Sequence, residues 1–181
     1  MAMTLTRRTA LAGLGAVLIV RPLPAPASEP RELRLYNVNT GEAFRDAYHN
    51  GEGYLVGAWE RLDWFLRDHH EDQAMRMDPG VFDLLWRLQN RYLAVHRRVV
   101  TINIHSAFRT EATNTRLLSE GAAQNSLHKV GKAVDVTVQG LGIYFLADRV
   151  REIGAGGVGI YWRARFCHID TGPPRFWYRR M

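Results

Sequence analysis

At 181 residues the chain is long enough for one domain with a hydrophobic core and too short for two substantial ones. Hydrophobic residues at 46% and charged residues at 23% exclude a disordered chain, and the single cysteine, Cys167, excludes an internal disulfide framework and any Cys-rich finger. Arg7, Arg8 and Arg21 supply three of the formal net charge of +6, leaving a modest +3 on the remainder, and no helical Arg/Lys stripe or finger motif marks a nucleic-acid partner.

The first elements are those of an export signal. Arg7 and Arg8, in T6-R-R-T-A-L, precede the apolar run A10 to V20, and R21-P-L-P-A-P-A27 ends in small residues. A positive patch, an apolar run and an Ala-x-Ala end make a secretory signal, and the paired arginines point to the twin-arginine route. The run is shorter than the roughly 20 residues that cross a bilayer. Residues 1–27 are therefore read as a leader and 28–181 as one domain, exported across the inner membrane to the periplasm. A leader left uncut would hold the domain at the membrane surface as a signal anchor.

After the leader, R34-L-Y-N-V-N-T40 alternates as an edge strand does, and T40-G41 and N50-G-E-G53 read as turns. Residues 58–68 place Trp59, Leu62, Phe65 and Leu66 at helical spacing. The His69, His70, Glu71, Asp72 cluster behind them lacks the His-Glu-x-x-His order and reads as a solvated helix end. Asp78 caps a helix opened by Pro79 that turns Val81, Leu84, Leu85, Leu88 and Tyr92 inward and runs to about His96. V99-V-T-I-N-I104 reads as a strand with Val100, Ile102 and Ile104 on one face, and E111 to E120 as a short helix ended by Gly121. Strand V134-D-V-T-V138, helix I143 to I153, the turn G154-A-G-G157 and strands V158 to W162 and F166 to D170 follow. Helices first and short strands later predict an α+β domain, an antiparallel sheet with flanking helices.

Two of those strands carry the chemistry. In S126-L-H-K-V-G-K-A-V-D-V136, valines 134, 136 and 138 share one strand face, which leaves Asp135 on the other. A carboxylate flanked by core valines is poorly solvated, and its charge is costly unless paired or bound to a metal. In F166-C-H-I-D170, Cys167 and Ile169 take the core and His168 and Asp170 face the same way as each other. His128, Asp135 and His168 make two imidazoles and one carboxylate, a set that binds one zinc ion and leaves a fourth position open. By spacing and parity alone, a salt-bridged His–Asp pair fits as well. A Ser126, His128, Asp135 charge relay fits poorly, because the serine lies two residues from its base and has no nucleophile elbow.

S126-x-H128-x-x-G131-x-A133-x-D135 followed by H168-x-D170 resembles the signature of the LAS metallopeptidases, which include D-alanyl-D-alanine peptidases and the hedgehog amino-terminal domain. S106-A-F-R-T110 and T113-N-T-R116 extend the resemblance, more narrowly, to exported murein endopeptidases of the MepK type. The resemblance implies a hedgehog/D-alanyl-D-alanine peptidase-like fold with Zn2+ on His128, Asp135 and His168. It also implies substrate contacts from Arg109 and Ser126, and a monomer acting on the stem peptides of peptidoglycan. Cleavage of cross-links is expected over D,D- or L,D-carboxypeptidase trimming, with a zinc-containing but inactive binding module as the other alternative.

Two departures bear on mechanism. Position 107 is Ala where Gly is common. Carboxypeptidase members place a glutamate where this chain has Arg165, and His-x-His members place a histidine where it has Phe166. The general base then falls to Asp170, whose competing role is to accept a hydrogen bond from a ligand imidazole and orient it.

Overall fold

The computed structural model describes residues 29–180, so the leader expected over 1–27 lies outside the described residues. Seven strands form one sheet in the order β2-β1-β3-β4-β6-β5-β7: β1 (Arg31–Asn37), β2 (Ala43–His49), β3 (Ile102–Ser106), β4 (Ala133–Val138), β5 (Gly157–Tyr161), β6 (Phe166–Asp170) and β7 (Arg175–Arg179). The helices are α1 (Val56–Phe65), α2 (Pro79–His96), α3 (Glu111–Arg116) and α4 (Ile143–Glu152). The sheet is mixed. β1 runs parallel to β3 and β5 parallel to β7, while the other pairings are antiparallel. No helix among the described residues is long and apolar enough to cross a membrane.

One face of the sheet is apolar and carries the helices. Leu33, Leu35, Ile102, Ile104, Val134, Val136, Val158, Ile160, Cys167 and Ile169 are buried there, and α1 packs on β2, α2 on β1, and α4 across β4, β5 and β6. The period-two alternation forces the other set of side chains, including Asp135 and His168, onto the opposite face. That split places the polar site away from the helices.

The 18-residue helix α2 is the core's largest element, and its start is set by chemistry expected from Asp78-Pro79. The Asp78 carboxylate accepts from Gly80 N at 2.8 Å, and Val81, Leu84, Leu85, Leu88 and Tyr92 are buried as predicted. On its first turns Asp83 collects three donors at 2.8 Å: Arg31 Nη1, Tyr48 Oη and Tyr54 Oη. Burial, then the Asp83 carboxylate, pushes the Tyr48 phenol well above its ordinary range. Asp83→Ala is expected to lower stability by about 1–3 kcal/mol, because the buried Tyr48 hydroxyl loses its acceptor. Urea denaturation measures it.

One strand expectation is corrected, and one strand is added. β1 is internal rather than an edge, because A43-F-R-D-A-Y-H49 pairs along its outer side. Only Phe44 and Tyr48 of β2 are large inward apolar residues, and a register shift at Arg31/Glu32 blurs the alternation further. R175-F-W-Y-R179, to which the sequence pattern assigns no element, is β7. Its aromatic residues fit a pleated surface, and it pairs in parallel with β5 from Gly157↔Arg175 to Tyr161↔Arg179.

Cys167 lies wholly inside the core, and burial, with the Asp135 charge second, pushes its thiol up to about 12. It is expected to resist a thiol-alkylating reagent at pH 8 in the folded protein and to react fully in denaturant, as mass analysis would show.

Candidate metal centre and active-site cleft

β4 and β6 pair so that Asp135 and His168 stand directly opposite each other. His128 arrives from a 3-10 turn, Leu127–Val130, that ends at Gly131 in the left-handed conformation at φ 65°. A side chain at position 131 would also press on the Arg76 carbonyl and Met77, so glycine is required there by both conformation and space. Ser126 opens the turn, its Oγ accepting from His128 N at 3.3 Å. A register shift between Ile104 and Ser106 brings Ser106 opposite Asp135 and sends the following segment over the site. Thr110, whose N and Oγ both donate to the buried Asp68 at 2.8 and 2.9 Å, ties that segment down.

Three ligand atoms converge. His128 Nε2 lies 3.1 Å from His168 Nδ1 and 3.3 Å from Asp135 Oδ1, and His168 Nδ1 lies 3.0 Å from the same oxygen. Each imidazole is fixed from behind. His128 Nδ1 donates to the Ala107 carbonyl at 2.6 Å and His168 Nε2 donates to Asp170 Oδ2 at 2.9 Å, so in the neutral rings both inner nitrogens present lone pairs. Two nitrogen lone pairs and a carboxylate oxygen facing one another leave room for one proton at most and are satisfied by a cation. Zinc held at about 2.0–2.2 Å by tetrahedral ligands separates them by roughly 3.3 Å, which matches the observed triangle. The buried residues present therefore fit a zinc ion.

Asp170 sits on the far edge of His168 from that triangle. Its Oδ1 accepts from Gly157 N and Gly172 N, both at 2.8 Å, and from Arg175 Nη1 at 3.0 Å; its Oδ2 takes His168 Nε2 and, at 2.6 Å, Arg175 Nη2. Burial disfavours the charge, but the bonds from His168, Arg175 and the two amides outweigh it and hold the carboxyl well below the usual carboxylate range. Gly157 has no side chain because a Cβ there would meet Asp170 Oδ2.

The three ligand residues form the floor of a cleft of about 550 Å³. Its lining comes from the segment Leu117 to Leu127, from the loop between β5 and β6, and from Trp177 of β7. Trp177 lies 5.1 Å from the His168 ring, a position open only because residue 159 is glycine: a Cβ there would strike the indole.

Residues 25–177 match the family model described as peptidoglycan L,D-endopeptidase MepK. The chain belongs to that family. Its relatives include the peptidoglycan L,D-endopeptidase MepK of Escherichia coli strain K12, 37% identical over 179 residues that cover 94% of this chain and 96% of the relative. The probable peptidoglycan L,D-endopeptidase MepK of Haemophilus influenzae is 32% identical over 151 residues, covering 82% and 80%. The His-His-Asp arrangement matches the zinc site of such a peptidase, and the mixed α+β fold is consistent with it.

Within the family frame, the residues singled out from sequence fall into two groups. His128, Asp135 and His168 come together at the cleft floor. Arg109, Ser126 and Asp170 surround them, each bonded to that set: Arg109 pairs through Nη2 with Asp135 Oδ2 and through Nε with Ser106 Oγ at 2.7 Å. Arg165 stands in the left-handed conformation at φ 59° on the loop and does not line the cleft, while Phe166 lines it and stacks on Tyr161. Sequence reasoning missed Arg175, Trp177 and the Ala107 carbonyl. The first two were legible only as alternation in R175-F-W-Y-R179, and a backbone carbonyl leaves no signal in residue type. The His69–Asp72 cluster stays outside the metal group, with Glu71 paired to Arg116 and Asp72 to Arg67.

The site's charges give a pH dependence. In the metal-free protein, burial opposes a charge on Asp135, but His128, Arg109 and His168 hold its carboxyl well below the ordinary range. Burial likewise opposes protonation of His168, but the carboxylates of Asp135 and Asp170 raise it. Burial dominates at His128 and pushes it down to about 4. A depressed carboxyl stabilises the fold above its unfolded value, about 4, and loses this as pH falls; a raised histidine stabilises below about 6.5 and loses this as pH rises. The lowered His128 has the opposite sign and costs stability below about 6.5, where the unfolded chain takes up the proton that the buried ring refuses. Metal-free protein is therefore expected to be most stable at about pH 6.5, while zinc affinity rises with pH as His168 gives up its proton. Thermal melts and zinc titrations across pH check both signs.

Proposed function

We propose that the chain is a periplasmic zinc peptidase that hydrolyses peptide cross-links of peptidoglycan, an endopeptidase with the L,D preference named in its relatives. The observation that supports it best is the inward-facing triangle of His128, Asp135 and His168, backed on every ligand and lining a cleft. Bound there, zinc supplies a Lewis acid for the amide carbonyl and makes water acidic enough to attack near neutral pH.

The chain's own residues hold that geometry. Ala107 O and Asp170 orient the two imidazoles, and Arg109 turns Asp135 so that one oxygen faces the histidines. Ser126 positions His128 through the cap on its turn. In this reading Asp170 is a positioning residue and not the base, since both its oxygens are occupied by donors on the far side of His168. Arg109 serves Asp135 first, and its place in the cleft lining leaves it able to meet the peptide as well.

The leader over 1–27 is assigned to twin-arginine export of a domain spanning 28–181, read as acting as a monomer; one chain supplies all three ligands, so the site needs no second copy. A leader retained in the mature protein would keep it at the membrane surface. Replacing Arg7 and Arg8 together by lysine is expected to hold the protein in the cytoplasm, read by cell fractionation.

The deciding experiment is digestion of purified peptidoglycan by zinc-loaded protein, with mass analysis of the fragments. Cross-linked dimers should disappear and new amines appear. Loss of only a terminal residue from monomers would replace the endopeptidase by a carboxypeptidase, and no reaction at full zinc occupancy would leave a binding module.

A further inference from the structure

Among the described residues three guanidinium groups line the cleft, and two of them are already committed. Arg109 binds Asp135 and Ser106; Arg175 binds both oxygens of Asp170 and the Pro173 carbonyl. Arg163 differs. It is exposed on the loop joining β5 to β6, it lines the cleft, and among the described residues it makes no hydrogen bond or ion pair.

The loop that carries it is held at both ends. Arg165 N donates to Tyr161 O at 2.8 Å, and Trp162 N donates to Arg179 O at 3.1 Å, fastening the loop to β7. The loop backbone is thus anchored, and the planar fork of the guanidinium it carries matches a carboxylate. Glu120, also exposed and without an ion pair among the described residues, lines the same cleft with the opposite sign and disfavours an anion beside it.

We propose that Arg163 reads a free carboxylate flanking the scissile bond, so that the enzyme selects acidic cross-linked peptides over their carboxamide counterparts. The proposal rests on the peptidase reading above and names the substrate class of that same site.

The test uses two synthetic cross-linked peptide dimers, identical except that the carboxylates flanking the cross-link are free in one and amidated in the other. Zinc-loaded wild-type protein is expected to prefer the acid form by about tenfold in kcat/KM, mainly through KM, with the ratio shrinking as salt rises. Arg163→Ala should bring the ratio to about one while zinc content stays at one ion per chain, and Arg163→Lys should restore part of it. Equal rates on both dimers in the wild type, or a ratio that survives Arg163→Ala, would overturn the assignment. Should neither dimer be cut, the peptidase reading falls and calorimetric binding of the same two dimers decides the subsite. Tighter binding of the acid form, lost in Arg163→Ala, supports it; equal binding removes it.

Discussion

His168→Ala is expected to abolish stoichiometric zinc retention and to lower kcat/KM on cross-linked peptidoglycan by about 1000-fold or more, roughly 4 kcal/mol of transition-state stabilisation. The reason is geometric. His168 Nδ1 is 3.0 Å from Asp135 Oδ1 and 3.1 Å from His128 Nε2, so its removal leaves a two-point contact that does not fix an ion at tetrahedral angles. The same substitution frees Asp170 Oδ2 from one donor while Arg175 and two amides still hold it, so the fold should survive. Elemental analysis of the purified variant and its circular dichroism spectrum separate metal loss from unfolding. A variant that kept both zinc and activity would remove His168 from the site.

Asp170→Asn is expected to weaken zinc binding by about 10–100-fold, with much of the lost activity recovered at saturating zinc. An amide oxygen can still accept from His168 Nε2 or from Arg175, but it cannot carry the charge that both partners favour. Recovery by added metal is the readout that separates an orienting carboxylate from a base, because a missing base is not restored by filling the metal site. Activity that stayed low at full zinc occupancy would return the base role to Asp170. Asp170→Ala goes further, leaving Gly157 N, Gly172 N and the His168 ring without their acceptor. It should cost about 3 kcal/mol of stability, tempered because the Arg175 guanidinium is 42% exposed and can turn to water.

Much of this was readable in the chain. The alternation V134-D-V-T-V138 and F166-C-H-I-D170 correctly assigned Val134, Val136, Cys167 and Ile169 to the core and Asp135 and His168 to the other face, because strand parity is a property of the backbone itself. The cap at Asp78-Pro79 and the apolar stripe of α2 were legible for the same reason, since each is a local preference written in adjacent residues. The left-handed Gly131 and the crowded Gly157 explain why glycines stand at those points in the motif and in the turn G154-A-G-G157.

What local pattern could not reach is what arrives from a distance. Parity put Asp170 on the side of His168 but not at which nitrogen, and the difference between the inner Nδ1 and the outer Nε2 is the difference between acting on water and holding a ring. R175-F-W-Y-R179 carried charge and aromaticity, yet only its parallel pairing with β5 brings Arg175 onto Asp170 and Trp177 beside His168. The Ala107 carbonyl acts through the backbone, which no residue type announces. The sequence by itself determined the ligand types, their faces and their spacing, because those follow from short-range geometry. Which atoms back each ligand, and which cleft cation is left unpaired among the described residues, was decided by tertiary structure, because hydrogen bonds between residues far apart in the chain depend on strand order and register that no local signal contains.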